Sequence, residues 1–281
     1  MSVCAPGPHR IGVCSWSLHP QSPAELAERV RAAGMRGVQL HLDPIRLGKW
    51  SEPQTIGRLR AAGIEIYSGM MSMSGEDYTT LETIRNTGGV RPDATWTNNL
   101  DAARVNARLA RRLGLSLVTF HAGFIPQQHG PDRDRMIDRL RQIVDVFDDA
   151  GVRVGFETGQ ETAQTLMETL TALDRPHAGV NFDPANMLLY GMGDPVAALS
   201  LLAPRVVQIH IKDAMPSPTP GVWGDETPAG NGAVDWTRLL RVVVQSGLGV
   251  DLLIERESGE KRFDDIRRAR DLVRANLPGT T

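Results

Sequence analysis

Four potential metal ligands each follow or end a short apolar run that has the character of a buried β-strand. Glu157 ends V-R-V-G-F-E, Asp183 ends A-G-V-N-F-D, His210 lies in V-V-Q-I-H-I-K-D, and Glu255 ends D-L-L-I-E. Side chains at the carboxyl ends of parallel strands meet at one face when the strands close into a barrel. Three carboxylates and one imidazole form a hard, mostly oxygen donor set. The spacing therefore predicts one divalent metal ion, with Mn²⁺ preferred and Mg²⁺ or Co²⁺ also suited.

Each ligand taken alone also has a plain structural explanation. Glu157 could be a salt-bridge partner in a barrel mouth, and Asp183, which precedes a proline, could simply form a turn. Glu255 belongs to an E-R-E cluster that could be solvated. His210 is different, because it lies in Q-I-H-I-K, where three polar residues share one face of a strand. Their common position at four successive strand ends favours a site.

Five further residues are candidates for substrate binding. His121 ends T-F-H and could be a fifth metal ligand, a hydrogen-bond donor to substrate or a buried structural histidine, of which we favour the second. Asn186 could reach the site or cap the following turn. Lys212 points the same way as the histidine two residues before it and could contact a substrate hydroxyl or oxyanion. Trp16 and Trp223 could stack on a sugar ring, although the former could equally belong to the core.

The elements that would carry these residues alternate regularly. A polar helical stretch, a glycine and a strand recur along the chain, as in D-D-A-G-V-R-V-G-F. Residues 22–25 resemble a capping box that opens the first helix, and residues 133–150 have apolar positions at helical spacing. Eight strands are predicted near 11–16, 37–42, 64–69, 116–121, 152–157, 178–183, 206–211 and 250–255. This pattern, without G-x-G-x-x-G after the first strand, predicts a single (β/α)8 barrel domain over residues 1–281.

Two long connections interrupt this alternation, one after strand three and one after strand seven. They cover residues 70–97 and 214–235 and are rich in glycine and aromatic residues. Both follow the carboxyl end of a strand, where barrels build their active sites. Loops of this length in a compact domain are usually functional or disordered. We expect ordered lids.

Composition and charge restrict the possible partners. The formal net charge of the 281-residue chain is −2, which lacks the basic footprint of a nucleic-acid-binding protein. No apolar run approaches the length of a membrane span. The first ten residues lack the apolar segment of a secretory signal, and two cysteines, Cys4 and Cys14, do not form a disulfide framework. These features predict a cytoplasmic protein with a small-molecule substrate, and a homo-oligomer is compatible with them.

The chain resembles the sugar phosphate isomerase/epimerase family, the xylose-isomerase-like barrels, over nearly its whole length. That superfamily includes ketose 3-epimerases, inosose isomerases and dehydratases, and endonuclease IV. The resemblance is sharpest in F-E-T at 156–158, N-F-D-P-A-N at 181–186, H-I-K-D at 210–213, G-N-G-A-V-D-W at 230–236 and I-E at 254–255. It implies that Glu157, Asp183, His210 and Glu255 hold one metal ion and that the two glutamates are the acid/base pair.

The resemblance implies an isomerase or epimerase that acts on a ketose, inosose or keto-sugar through an enediolate. Many epimerases of the family have a histidine three residues after the aspartate, where this chain has Asn186. Elimination from the same enediolate, which would make the protein a lyase or dehydratase, therefore stays open. A non-catalytic sugar-binding subunit and a nuclease like endonuclease IV are weaker alternatives. The nuclease needs further histidines for three metal ions, and the end of strand three offers S-G-M instead.

Overall fold

The computed structural model describes residues 9–277 and residue 280. Cys4 and most of the N-terminal segment on which the expectation about a secretory signal depends lie outside these residues. In the described part, the strands in chain order are β1 (Ile11–Cys14), β2 (Gly37–His41), β3 (Glu65–Met70), β4 (Leu117–Phe120), β5 (Arg153–Glu157), β6 (Ala178–Phe182), β7 (Val206–Ile211), β8 (Asp213–Met215), β9 (Asp225–Thr227) and β10 (Asp251–Ile254).

Eight of these strands close into one parallel barrel. Their order around it is β1-β10-β7-β6-β5-β4-β3-β2, and β8 and β9 form a separate antiparallel hairpin. The predicted (β/α)8 barrel is confirmed, and the end of each predicted barrel strand is within two residues of the observed one. Because the strands are parallel, all eight carboxyl ends lie at one face of the barrel.

Helices surround the barrel and cover the outer faces of its strands. In the described residues they are α1 (Pro23–Ala32), α2 (Asp43–Arg46), α3 (Glu52–Ala61), α4 (Leu81–Thr87), α5 (Asp93–Arg112), α6 (Pro131–Asp148), α7 (Ala163–Leu173), α8 (Pro184–Leu189), α9 (Pro195–Leu202), α10 (Trp236–Gln245) and α11 (Arg262–Asn276). Two short 3₁₀ helices cover Ser15–Leu18 and Ala203–Arg205. None of the described helices is long and apolar enough to cross a membrane.

Local sequence explains where the helices begin and end. Helix α6 has a proline at its first position and buries the apolar stripe predicted for residues 133–150. It ends before Gly151, whose φ of +72° directs the chain into β5. At α1, the Ser22 hydroxyl accepts a hydrogen bond from Glu25 N at 3.2 Å. The Glu25 carboxylate accepts from Gln21 N instead of Ser22 N, so only half of the predicted capping box forms.

Both long connections are ordered by buried polar side chains. The connection between β3 and α5 contains α4, and Asn99 Oδ1 accepts a hydrogen bond from Ser74 N at 2.7 Å. The connection after β7 is clamped by Asp213, which is fully buried. Its carboxylate accepts hydrogen bonds from the backbone N–H groups of Ala214, Gly230, Gly232 and Val234 and from the indole N–H of Trp236. The clamp connects two motifs of the sequence. Asp213 ends H-I-K-D, and four of its hydrogen-bond donors lie in G-N-G-A-V-D-W.

Candidate metal centre

The four predicted ligands converge at the carboxyl face of the barrel. Glu157 is the last residue of β5, His210 lies in β7, and Asp183 and Glu255 directly follow β6 and β10. One ligand atom from each lies within 4.8 Å of the other three, and all four side chains are buried. His210 Nδ1 is 2.9 Å from Glu255 Oε2, 3.6 Å from Glu157 Oε1 and 3.7 Å from Asp183 Oδ2. The sequence-predicted ligand set is thus brought to one point.

Three of these atoms lack a hydrogen-bond partner. Asp183 Oδ2, His210 Nδ1 and Glu255 Oε2 are all buried and have no hydrogen-bond partner, although Lys212 Nζ lies 3.9 Å from the first and 3.5 Å from the third. A buried polar atom without a hydrogen-bond partner lowers the stability of the fold by roughly 1–3 kcal/mol, and by more when it is charged. Three such atoms at one point therefore need an explanation. A cation at this point would accept a lone pair from each. Oxygen-rich donors with one imidazole suit Mn²⁺ or Mg²⁺, so the residues fit the metal ion that the sequence predicts.

Asp183 combines the two roles that the sequence left open. Its Oδ1 accepts hydrogen bonds from Ala185 N at 2.8 Å and Asn186 N at 3.0 Å, which caps α8. Its Oδ2 is the unpaired atom that faces the site. The capping hydrogen bonds hold the carboxylate in one orientation. Its second oxygen therefore faces the centre without a change of side-chain conformation.

A glutamine fixes the orientation of the ligand histidine. Gln39 Oε1 lies 2.8 Å from His210 Nε2, and Gln39 Nε2 donates to Thr119 Oγ1 at 2.8 Å and to Gly69 O at 3.4 Å. Because the amide nitrogen faces a carbonyl, we assign its oxygen to the imidazole and the proton to His210 Nε2, which also lies 3.1 Å from Asn181 Nδ2. The lone pair of the neutral ring is then on Nδ1, which points at the centre. Hydrogen bonds behind metal-binding histidines orient the ring and fix its tautomer in this way.

This glutamine belongs to a polar layer directly beneath the ligands. Ser68 Oγ donates to Gln208 Oε1 at 2.5 Å, Gln208 Nε2 donates to Asn181 Oδ1 at 3.0 Å, and Asn181 Nδ2 donates to Glu157 Oε2 at 3.1 Å. All of these residues are buried. Interior layers of such barrels are usually filled by branched apolar residues. Here hydrogen-bonded amides support the ligands instead.

Both oxygens of Glu157 are held by amides. Oε1 accepts from Asn186 Nδ2 at 3.0 Å, and Oε2 accepts from the asparagine of the polar layer. Burial by itself would raise the pKa of this carboxyl, but the nearby charges of His121, His210 and Lys212 outweigh burial and hold the pKa well below its ordinary range. Asn186 therefore reaches the site, and the alternative that it caps the turn is wrong, since Asp183 does so.

Glu255 is held differently. Trp16 Nε1 donates to Glu255 Oε1 at 2.7 Å, and Lys212 Nζ lies 3.5 Å from Oε2. Trp16 lies in the 3₁₀ helix after β1, not in the strand to which the sequence assigned it. It is half-buried and borders the pocket, so it is not a core tryptophan.

A pocket of about 570 Å³ opens at this centre, and Glu157 and Glu255 line it. All five predicted substrate-binding residues line it: Trp16, His121, Asn186, Lys212 and Trp223. His121 is outside the ligand cluster among the described residues, and its Nε2 is 3.4 Å from Glu157 Oε1. Its Nδ1 is buried without a hydrogen-bond partner.

Sequence reasoning missed several residues that line the pocket: Glu76, Tyr78, Tyr190 and Glu257. The only signal for the first two was their place in G-E-D-Y of a loop expected to be a lid. Tyr190 follows α8, and Glu257 is the second glutamate of E-R-E. These side chains lie in loops or at the end of a helix, where no hydrophobic periodicity marks individual positions. The periodicity of the sequence therefore did not identify them.

Comparisons with known proteins agree on one fold family. A family model described as "Xylose isomerase-like TIM barrel" matches residues 27–276. The crystal structure of a xylose isomerase domain protein from Planctomyces limnophilus is 31% identical, with 88% of each chain covered and a TM-score of 0.78. L-Ribulose-5-phosphate 3-epimerase UlaE from Salmonella paratyphi A is 26% identical over 89% of both chains. A match of 30% identity to 3-oxo-isoapionate decarboxylase from Pectobacterium atrosepticum covers 30% of this chain and 31% of that protein.

Proposed function

This chain belongs to the xylose isomerase-like TIM barrel family, and on that premise we propose that it is a divalent-metal-dependent isomerase or epimerase. Its substrate is a ketose, an inosose or another keto-sugar, and the reaction passes through an enediolate. One observation carries the proposal: four ligand atoms lie within 4.8 Å of one another at the barrel mouth, and three of them are buried without a partner. The relative named as a 3-epimerase covers most of both chains and supports the same reaction class.

Glu157, Asp183, His210 and Glu255 would hold a single ion, with Mn²⁺ preferred and Mg²⁺ or Co²⁺ also compatible. When bound, the ion supplies Lewis acidity that stabilises negative charge on the substrate oxygens. The hydrogen bond from the second nitrogen of His210 to Gln39 fixes the ring and leaves Nδ1 to the ion.

The two glutamates are proposed to move the proton. They stand at the ends of β5 and β10, strands that are separated by β6 and β7 in the barrel. One carboxylate removes the α-proton of the keto-sugar, and the other returns a proton to the opposite face of the enediolate. General acid–base catalysis by positioned carboxylates contributes typically about 10²–10⁴-fold in rate. The amides on Glu157 and the indole N–H on Glu255 hold these groups in place.

The remaining residues would bind the sugar. Lys212 and His121 both line the pocket and can hydrogen-bond substrate hydroxyls or the developing oxyanion. Trp16 and Trp223 offer aromatic faces at two sides of the pocket.

A lyase that uses the same enediolate is the second candidate. If the substrate carries a leaving group β to the carbonyl, the enediolate expels that group, and one glutamate suffices as the base. The partial match to a decarboxylase, which covers 30% of this chain, is compatible with a lyase but concerns loss of CO2 instead of a β-elimination. Asn186 stands where many family members have a histidine, which also separates this chain from those epimerases.

The test is metal-dependent exchange of a substrate α-proton with deuterated water, followed by NMR over a panel of ketoses, inososes and keto-glycosides. Exchange that stops on chelation and returns with Mn²⁺ is the expected result. Product analysis then separates an epimer from an elimination product. Elemental analysis should find about one ion per chain, and His210→Ala should lose most of the metal affinity. Binding without exchange would make the protein a sugar-binding subunit, and two or three ions per chain would favour the nuclease.

A further inference from the structure

The pocket extends well beyond the metal centre. Its volume of about 570 Å³ lies within the range of sites that bury drug-sized ligands. Of the four ligands, Glu157 and Glu255 line it, and a single sugar ring is smaller than the ligands that such pockets accommodate. The pocket therefore has room for a second group attached to the reacting sugar.

Several aromatic side chains line the pocket. We call Tyr78, Tyr190 and Trp223, which all line the pocket, the aromatic wall. Trp223 packs edge-on against Tyr190 with ring centroids 4.9 Å apart, and Phe124 supports Tyr190 from behind at 5.6 Å. Tyr190 is only 8% exposed, whereas Tyr78 is 45% exposed. Aromatic faces bind the apolar faces of sugar rings or other aromatic rings.

The charge of the pocket disfavours an anionic substrate. Its lysine, Lys212, is already paired: Nζ lies 2.6 Å from Glu257 Oε2, 3.5 Å from Glu255 Oε2 and 3.9 Å from Asp183 Oδ2. Among the described residues that line the pocket there is no arginine, and Glu257 adds an exposed carboxylate beyond the metal ligands. Away from the metal centre, a phosphate group would meet this carboxylate and no unpaired lysine or arginine.

We propose that the substrate is an uncharged keto-sugar that carries a second ring, a keto-glycoside in chemical class. The keto-sugar lies over the four ligands, and the second ring lies against the aromatic wall. The proposal rests on the proposed function for the chemistry at the metal centre. It adds that the rest of the pocket selects a second ring and an uncharged substrate.

Binding and exchange are measured separately on the Mn²⁺-loaded full chain. The probes are 3-keto-glucose, its 6-phosphate and its phenyl β-glycoside. Calorimetry should give an affinity for the phenyl glycoside at least tenfold higher than for either other probe. Equal or tighter binding of the phosphate or of the bare sugar, or no measurable binding of the glycoside, overturns the inference. Selective glycoside binding without α-proton exchange removes the proposed function and leaves the pocket's selectivity standing, so the two failures are distinguishable.

Two pairs of variants test the role of the aromatic wall and the role of the pocket's charge. Trp223→Leu should weaken phenyl glycoside binding about tenfold more than binding of the bare sugar, since an aromatic contact contributes roughly one factor of ten. Val222→Ala, at the exposed neighbouring position, should not change that ratio. An unchanged ratio in Trp223→Leu overturns the role of the aromatic wall.

The second pair concerns charge. Glu257→Gln removes a negative charge from the pocket and frees Lys212, so discrimination against the phosphate should fall at least about threefold. Glu260→Gln makes the same change on an exposed residue of the same loop, outside this pocket, and should leave discrimination as in the wild type. If both variants behave alike, the charge argument is refuted.

Discussion

Gln39 offers a direct test of how the barrel interior prepares the metal centre. Gln39→Met keeps the length of the side chain and removes its polar atoms. His210 Nε2 then loses its acceptor at 2.8 Å, and Thr119 Oγ1 loses its donor at 2.8 Å. The imidazole is free to rotate or to place its proton on Nδ1, which faces the ion. Loss of such a supporting contact typically lowers metal affinity about 10–100-fold, which corresponds to ~1.4–2.7 kcal/mol.

Gln39→Glu separates the acceptor from the rest of the side chain. A carboxylate retains an acceptor for His210 Nε2 and loses the donor to Thr119 and to Gly69 O. Carboxylate–histidine pairs behind a metal raise the basicity of the ligand. We therefore expect Gln39→Glu to bind metal within about threefold of the wild type, even though a buried carboxylate lowers the stability of the barrel.

The assay is competition for Mn²⁺ or Co²⁺ with a chromogenic chelator, and thermal unfolding of the metal-free proteins reports stability. Thr169→Val serves as the control, because it removes a buried hydroxyl that donates to Thr165 O in α7, on the outside of the barrel. It should cost about 1 kcal/mol of stability and leave metal affinity unchanged. If Gln39→Met binds the ion like the wild type, the hydrogen bond does not orient the ligand and the reasoning is refuted.

Three further predictions follow from named contacts. Glu157→Gln and Glu255→Gln should each lower turnover about 10²–10⁴-fold while retaining the fold and measurable metal, and a variant with wild-type turnover is not a proton carrier. Asp213→Asn removes one acceptor oxygen from the clamp on residues 230–236, so we expect a loss of at least about 2 kcal/mol in unfolding free energy and faster amide exchange there; unchanged exchange would contradict the clamp. Burial raises the pKa of Glu161 from its ordinary 4.5 to about 8, so its contribution to stability is full below pH 4.5 and is lost as the pH rises through 8. With a chelator present, Glu161→Gln should thus unfold at the same temperature as the wild type near pH 5 and at a higher temperature than the wild type at pH 8. A difference in unfolding temperature that does not change with pH would contradict this.

The barrel and its ligand set could be predicted because both depend on short-range patterns. Each strand is a local apolar run, and each ligand ends such a run, so parallel pairing alone brings Glu157, Asp183, His210 and Glu255 to one face. The family resemblance drawn from these motifs is confirmed by the matching family model. No long-range information was needed for this part of the structure.

The supporting layer could not be predicted in the same way. Gln39, Ser68 and Gln208 are visible in the sequence as polar residues within strands, but which of them meet depends on the stagger between strands across the barrel. The register shifts between Val38 and Gln39 against β3, and again between Val180 and Asn181 against β7. A strand pattern of period two does not encode such shifts, so the contacts beneath the ligands required the structure.

The segment from Asp183 to Tyr190 shows why one short motif carries so much of the site. The Asp183 carboxylate starts α8 with one oxygen and faces the metal centre with the other. Because the helix begins there, Asn186 lies one turn later with its amide on Glu157, and Tyr190 ends the helix against Trp223. The proposed metal ligand, the support of the proposed catalytic carboxylate and part of the aromatic wall therefore lie in one short segment. Insertion of a single residue between Asp183 and Asn186 would rotate the side chains of Asn186 and Tyr190 by about 100° around the helix axis and separate all three functions.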